Sequence, residues 1–201
     1  MRLILGSSSS ARKAVFNQLS LKYDSMSPDI DESRKENESP QNYVLRLSQE
    51  KALAVSKKIY NQSTQDNFLI VASDQVACHE NSIFGKPTSI ENAKEMLSIL
   101  SEKKIEYING LAIFRTDTQQ LLSGLSISSV KFKKLTHSLI EKYVEDQSII
   151  HCASGIKIEG LGPFLLEEFE SHDPTGIYGM PILLLDKLIS QIDLNLFDFC
   201  L

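Results

Sequence analysis

The chain has no CxxC pair. Its three cysteines, Cys78, Cys152 and Cys200, are odd in number and far apart, so neither a disulfide framework nor a cysteine zinc site is expected. Idle or buried thiols in a reducing compartment are the simpler account. Long apolar runs are missing too. None nears the roughly eighteen residues of a membrane span, and Leu3-Ile4-Leu5 is too short for the apolar region of a signal peptide. A cytoplasmic protein without membrane contact is expected. Positive charge is also in short supply: Lys and Arg number 21 against 26 Asp and Glu, a net charge of −5. A general nucleic-acid binder needs a basic face for phosphates and is not expected here. The fingerprint GxGxxG is absent, and GKPT is not a P-loop, because Glu80 stands where the first glycine is required.

The 201 residues can bury a full core, as one large domain or two small ones. The stretch from Leu69 to Pro87, LIVASDQVACHENSIFGKP, organises the rest. Leu69 to Ala72 is a nearly continuous apolar run, as in a strand buried on both faces. It ends at Ser73-Asp74-Gln75, which predicts a carboxylate at the strand's carboxyl end, where open α/β sheets bind ligands. A hairpin at His79 to Asn81 then leads through Ser82-Ile83-Phe84 to Gly85-Lys86-Pro87 and its ammonium. Taken alone, Asp74 and Lys86 read better as solvated turn charges, the usual state of lone charges at turns.

Arg2 to Gly6 reads as a first buried strand, followed by the small-residue turn Ser7 to Ser10 and a helix carrying Val15 and Leu19. Arg12 and Lys13 sit in that helix's first turn, where the macrodipole disfavours cations. The placement makes sense if an anion binds the helix N-terminus. Ser27 to Pro40 reads as an exposed loop whose Asp29, Asp31 and Glu32 are either a cation site or solvated charge. Ser39-Pro40 starts a long helix with Val44, Leu47 and Ala54 on one stripe. Lys51 lies inside that stripe, so its ammonium either snorkels to water or meets a buried anion. Asn61 to Asp66 is a polar connection. Thr88 to Glu91 matches a capping box ahead of Ala93, Met96, Leu97 and Leu100. Glu106 to Phe114 and Leu121 to Phe132 read as two strands around a turn, and Thr136 or Ser138 as the cap of a short helix through Val144. His151 to Gly162, HCASGIKIEGLG, reads as an irregular strand and Phe164 to Phe169 as another. Pro181 starts the last helix. The apolar tail after Ile192 is expected to dock on the body or on a partner chain, the latter making a homodimer.

In this order, LILGSSSSARK, DIDES, LRLSQEKA, SDQV, GKPTSIENAKEMLSIL and GIYGMP resemble the motifs of the Maf family of nucleoside triphosphate pyrophosphatases. The resemblance runs from Leu3 to about Leu188. Gln75 and HCASGIKIEG resemble the branch that acts on 7-methyl-GTP rather than the dTTP/UTP branch, which has threonine after the aspartate.

The resemblance implies a mixed α/β fold of elongated form, a single domain with two lobes around a central cleft. It implies hydrolysis of a nucleoside triphosphate to the monophosphate and pyrophosphate with a divalent cation, Mg²⁺ or Mn²⁺. The family's active-site pattern falls on Arg12, Glu32, Lys51, Asp74 and Lys86, with Ser7 and Lys13 in the phosphate turn. Asp74 would be a general base or would hold the metal with Glu32, while Arg12, Lys51 and Lys86 would clamp phosphates. Ala11, Gln75 and Glu159 fall on substrate-discriminating positions, and a carboxylate such as Glu159 suits a cationic 7-methylguanine. The chain departs from the pattern at Gly6, Ser10 and Lys13. At Ala11 a branch member can carry a large aromatic, and this chain has no tryptophan at all. The alternatives are a dTTP/UTP-type pyrophosphatase and a non-catalytic nucleotide-binding regulator of cell division, the latter suggested by the family's historical name.

Overall fold

Alternation along neighbouring strands builds both faces of the first layer. The computed structural model describes residues 1–61 and 66–200, so the expected polar connection of Asn61 to Asp66 falls outside the described residues at 62–65. Strands β1 (Arg2–Leu5), β2 (Tyr23–Ser25), β3 (Phe68–His79), β4 (Ser82–Phe84), β5 (Lys104–Arg115), β6 (Gln120–Phe132) and β7 (Leu166–Ser171) form a seven-stranded sheet of order β2-β1-β3-β5-β6-β7, with β4 pairing β3. Pairing of β1 with β2 and β3 is parallel, and that of β3 with β4 and of β6 with β7 is antiparallel. The fold is mixed α/β. The helices are α1 (Ser10–Gln18), α2 (Pro40–Tyr60), α3 (Ile90–Leu100), α4 (His137–Tyr143) and α5 (Ile182–Ser190). None is long and apolar enough to cross a membrane.

The chain divides into two compact units. The first comprises Met1–Asp74, Asn109–Ser126 and Asp173–Leu201. In it, Leu3, Leu5, Leu69, Val71, Leu111 and Ile113 share a core with Val15 and Phe16 of α1 and with Leu185, Leu188 and Ile189 of α5. The alternate residues Ile4, Ile70, Ala72, Ala112 and Phe114 pack with Ala52, Val55 and Ile59 of α2. The period of two along each strand thus places helices on both faces. Gly110 lets α2 come close: a Cβ there would lie 2.1 Å from the Val44 carbonyl oxygen. The second unit comprises Gln75–Ile108 and Ile127–His172, where α3 packs against α4 and against the 3-10 turns that follow α4.

Several expectations need correction. Strand β3 does not end at Ser73-Asp74-Gln75. It continues to His79, because Ala77 and Cys78 stay buried and pair with Phe84 and Ile83. Its pairing with β1 does stop at Leu5 and Val71, so Asp74 lies beyond the carboxyl end of the parallel part. The cap of α3 is Ser89, whose Oγ accepts from Asn92 N at 3.1 Å; Thr88 has φ +66 and lies outside the helix. Ala54 is only half-buried, and the inner stripe of α2 runs Val44, Leu47, Lys51, Val55. His151 to Gly162 contains no strand. Ser154 and Gly155 are both left-handed, with φ 55 and 68, which turns the chain instead of extending it. Phe164 lies in a 3-10 turn before β7. Strand β2 follows α1 without apolar alternation and was not anticipated. The tail docks on the first unit's own core through Leu196 and Phe199, with Lys22 N donating to Phe199 O at 2.6 Å; Leu201 is outside the described residues.

Substituting Gly110→Ala would force α2 off β5, since a helix backbone cannot yield as a side chain can. The expected loss is about 1–3 kcal/mol, seen as a fall in Tm of roughly 2–12 °C. A Tm unchanged within about one degree would contradict the close approach of Val44 to β5.

Candidate active site

The turn after β1 is built from serines that bond to one another. Gly6 N donates to Val71 O at 2.7 Å, and the next residues lead into α1, whose cap is Ser9. Ser7 is buried, and its Oγ accepts from Ser9 N at 3.1 Å and from Arg12 Nη1 at 3.3 Å. Arg12 Nε donates to the Gly179 carbonyl at 3.0 Å. Burial pulls the Arg12 guanidinium below its usual range, against the attraction of Asp74 and Glu32. Among the described residues no carboxylate makes an ion pair with Arg12, and the first turn of α1 holds no acidic residue. Arginine stays protonated even so. A half-buried cation at a helix N-terminus, with no carboxylate partner among the described residues, has the charge and donors to take an anion. Lys13 and Ala11 are half-buried in the same helix, and the Lys13 carbonyl accepts from Tyr23 OH at 3.4 Å.

Lys51 resolves the choice left open by its stripe. Its Nζ contacts Asp74 Oδ1 at 2.6 Å and Glu32 Oε1 at 2.9 Å. The side chains of Lys51 and Asp74 are 6% and 10% exposed, that of Glu32 54%. The ammonium meets anions rather than water. One ammonium and two carboxylates leave the trio net negative, which suits a cation, while Arg12 in the same unit calls for an anion. Among the described residues no cluster of three or more His, Cys, Asp or Glu forms a ready-made metal cage. Two carboxylates already converging on one cation nevertheless fit Mg²⁺ or Mn²⁺. Such ions take one or two protein carboxylates and fill the remaining positions with phosphate and water oxygens.

The loop that carries Glu32 is fastened by a clasp the sequence reading missed. Arg46 of α2 grips Glu38 with two nitrogens, at 2.7 and 2.8 Å, and also reaches Ser33 O at 3.1 Å and Glu50 Oε2 at 2.9 Å. Tyr43 OH donates to the Glu32 carbonyl at 2.7 Å. Burial raises the Tyr43 hydroxyl's pKa, reinforced by Asp74 and Glu32, so it remains a donor. Only the Arg46–Glu50 spacing of four residues is visible in sequence; Glu38 lies before the helix. Of the other loop acids, Asp29 reaches Lys58 near the end of α2, and Asp31 stays local with Ser33.

Gln75, Lys86 and Glu159 belong to the second unit. Gln75 is half-buried, and Lys86 and Glu159 are exposed. The last two share a neighbourhood around Cys152: burial raises that thiol's pKa, Glu159 raises it further and Lys86 opposes the rise. Beneath them Tyr107 OH meets Ser154 Oγ at 2.5 Å, and Ser154 N donates to Gly85 O at 3.0 Å, tying the turn that carries Lys86 to a buried tyrosine.

The clasp makes a pH prediction. Arg46 holds the Glu38 carboxyl at about 2, below its ordinary 4.5. A depressed carboxyl contributes stability above its unfolded pKa and loses it as pH falls through the folded one. Wild type should therefore be more stable than Glu38→Gln at pH 7, and the difference should shrink between about pH 4.5 and 2. Thermal unfolding of both proteins across that range checks it; a pH-independent difference would remove the charge pairing.

The family model described as Maf-like protein matches residues 2–192. A protein of Idiomarina loihiensis described as 7-methyl-GTP pyrophosphatase is 43% identical over 187 residues, 92% of each chain. Proteins of Alcanivorax borkumensis and Aliivibrio fischeri with the same description are each 37% identical, over 94% of this chain and 92% of the first, and over 96% of this chain and 97% of the second. The solved Staphylococcus aureus Ham1 protein overlaps 66% of this chain and 72% of its own, at 14% identity and a TM-score of 0.35. With nearly all of its length matched by the family model, the chain belongs to the Maf family.

Proposed function

We propose that the protein hydrolyses a nucleoside triphosphate, 7-methyl-GTP or a related modified purine nucleotide, to the monophosphate and pyrophosphate. The observation that carries this reading is the Lys51 ammonium between Asp74 and Glu32, in the same unit as an Arg12 that has no carboxylate partner among the described residues. A pure binding module has no need of a buried carboxylate beside a cation, whereas bond cleavage needs a base and charge neutralisation. Relatives at 37–43% identity carry the name 7-methyl-GTP pyrophosphatase. A cytoplasmic location goes with this reading, since the nucleotide pool lies there.

Arg12 and Ser7 would bind phosphate oxygens, the guanidinium matching them bidentately. Lys13 would add charge at the same helix terminus. Lys51 would shift part of its contact from the carboxylates to the incoming polyphosphate. Asp74, so released, takes a proton from the water whose oxygen bonds to the α-phosphorus, while the bond to the bridging oxygen breaks and pyrophosphate leaves with the electron pair. Glu32 would hold the divalent cation; in the alternative role Asp74 would hold it with Glu32 instead of acting as the base. Such an ion supplies charge neutralisation to the leaving group and lowers the pKa of a bound water. Stabilising charge where it develops, in a preorganised site, is the largest contribution expected.

The test is turnover with Mg²⁺ or Mn²⁺ across a nucleotide panel, with Asp74→Asn as the control. The 7-methylguanine ring is cationic, and a charge-assisted contact to it of about 1.5–3 kcal/mol corresponds to about one to two orders of magnitude in kcat/KM over GTP. Asp74→Asn leaves Glu32 on the Lys51 ammonium, so the variant should fold with reduced stability and release no pyrophosphate. Faster turnover of dTTP or UTP would move the chain to the other branch. Nucleotide binding without turnover in the wild type would leave the regulator reading.

A further inference from the structure

One backbone carbonyl of the first unit receives two side chains from the candidate site. Gly179 O accepts from Arg12 Nε at 3.0 Å and from Ser73 Oγ at 2.7 Å. Ser73 is fully buried and directly precedes Asp74 in β3. Arg12 spends a further donor on Ser7 Oγ, at 3.3 Å. With Nε and Nη1 engaged, the plane of the guanidinium is fixed and its Nη2 edge has no partner among the described residues.

Gly179 can offer its carbonyl this way because it closes the 3-10 turn Gly176–Tyr178 at φ 80 and ψ 13, a left-handed conformation that costs a side-chain-bearing residue about 1–2 kcal/mol. The turn is pinned from both ends. Asp173, buried, accepts from Thr175 Oγ1 at 2.9 Å and from Leu184 N at 3.1 Å, and Thr175 Oγ1 accepts from Ile182 N at 2.9 Å. Asn109, also buried, donates to Gly176 O at 2.9 Å. An arginine in a first helical turn would otherwise sample many rotamers, and ordering it on binding costs affinity.

We infer that Gly179 is a positioning residue for Arg12: its carbonyl, locked by Ser73 and by the left-handed turn, presents the outer edge of the guanidinium to the substrate's phosphates. This deepens the pyrophosphatase reading and rests on it. Ser73 serves the same carbonyl from the strand that carries Asp74, so one acceptor sets the phosphate-binding cation and steadies the chain beside the candidate base.

The experiment is a double-mutant cycle of Gly179→Ala with Arg12→Lys, read by calorimetric affinity for inorganic tripolyphosphate and by KM and kcat for 7-methyl-GTP. Gly179→Ala alone should weaken tripolyphosphate and raise KM by about tenfold, the scale of a lost hydrogen bond to a charged group, with a smaller change in kcat. Gly179→Asn, which tolerates the left-handed region, should recover most of that loss. In the Arg12→Lys background, Gly179→Ala should change affinity by less than about twofold, because lysine has no Nε to seat on the carbonyl. Ser73→Ala reaches the same carbonyl and should show the same non-additivity should Gly179→Ala fail to fold. Equal losses in both backgrounds, an unchanged affinity, or a wild type that does not bind tripolyphosphate would each overturn the inference. A wild type that binds tripolyphosphate but turns over no nucleotide would instead sink the pyrophosphatase reading, leaving the cycle to be read from affinity alone.

Discussion

The contact of the Lys51 ammonium with Asp74 and Glu32 constrains much of the first unit. The Lys51–Asp74 pair is buried and gives up hydration worth several kcal/mol per charge, so losing either partner is costly, while the Glu32 side chain is 54% exposed. None of the three residues can therefore be placed independently. Lys51 needs α2 close to the sheet, which Gly110 permits by leaving no Cβ against the Val44 carbonyl. Glu32 needs an otherwise irregular loop held to α2, which the Arg46–Glu38 clasp and the Tyr43 hydroxyl provide. Asp74 needs to stand beyond the parallel pairing of β3 with β1.

Charge is distributed to leave two complementary demands within that unit. The carboxylate pair exceeds its single ammonium by one negative charge, while Arg12 has hydrogen-bond acceptors but, among the described residues, no carboxylate partner. Under the proposed pyrophosphatase function, a polyphosphate accompanied by a divalent cation would answer both demands at once. The chain belongs to the Maf family, and relatives at 37–43% identity are described as 7-methyl-GTP pyrophosphatases.

Much of this was legible in the sequence, and the failures have physical causes. A lysine inside an apolar stripe announced an unusual environment, and the serine turn before Arg12 announced a capped helix start, because helical period and capping are local signals. The reading of β3 as ending at Asp74 failed because an apolar run shows where a strand is buried, not where its pairing continues, and Ala77 and Cys78 went on to pair with β4. The turn at Ser154 and Gly155 was mistaken for strand because left-handed backbone at a serine has no compositional mark. The grip of Arg46 on Glu38 and the carbonyl of Gly179 were invisible for a simpler reason. The first is a contact around a helix start, and the second belongs to a backbone atom that every residue possesses.

The most direct test of the central role of Lys51 is the kcat/KM of Lys51→Met, measured on protein shown to unfold cooperatively. The substitution keeps the length and packing of the stem and removes the one charge that joins the two carboxylates and would meet the polyphosphate. Loss of a preorganised charge at a transition state costs about two to three orders of magnitude in rate, and a loss of that size, with weakened triphosphate binding, is the predicted result. A folded Lys51→Met protein with kcat/KM within about threefold of wild type would contradict the account.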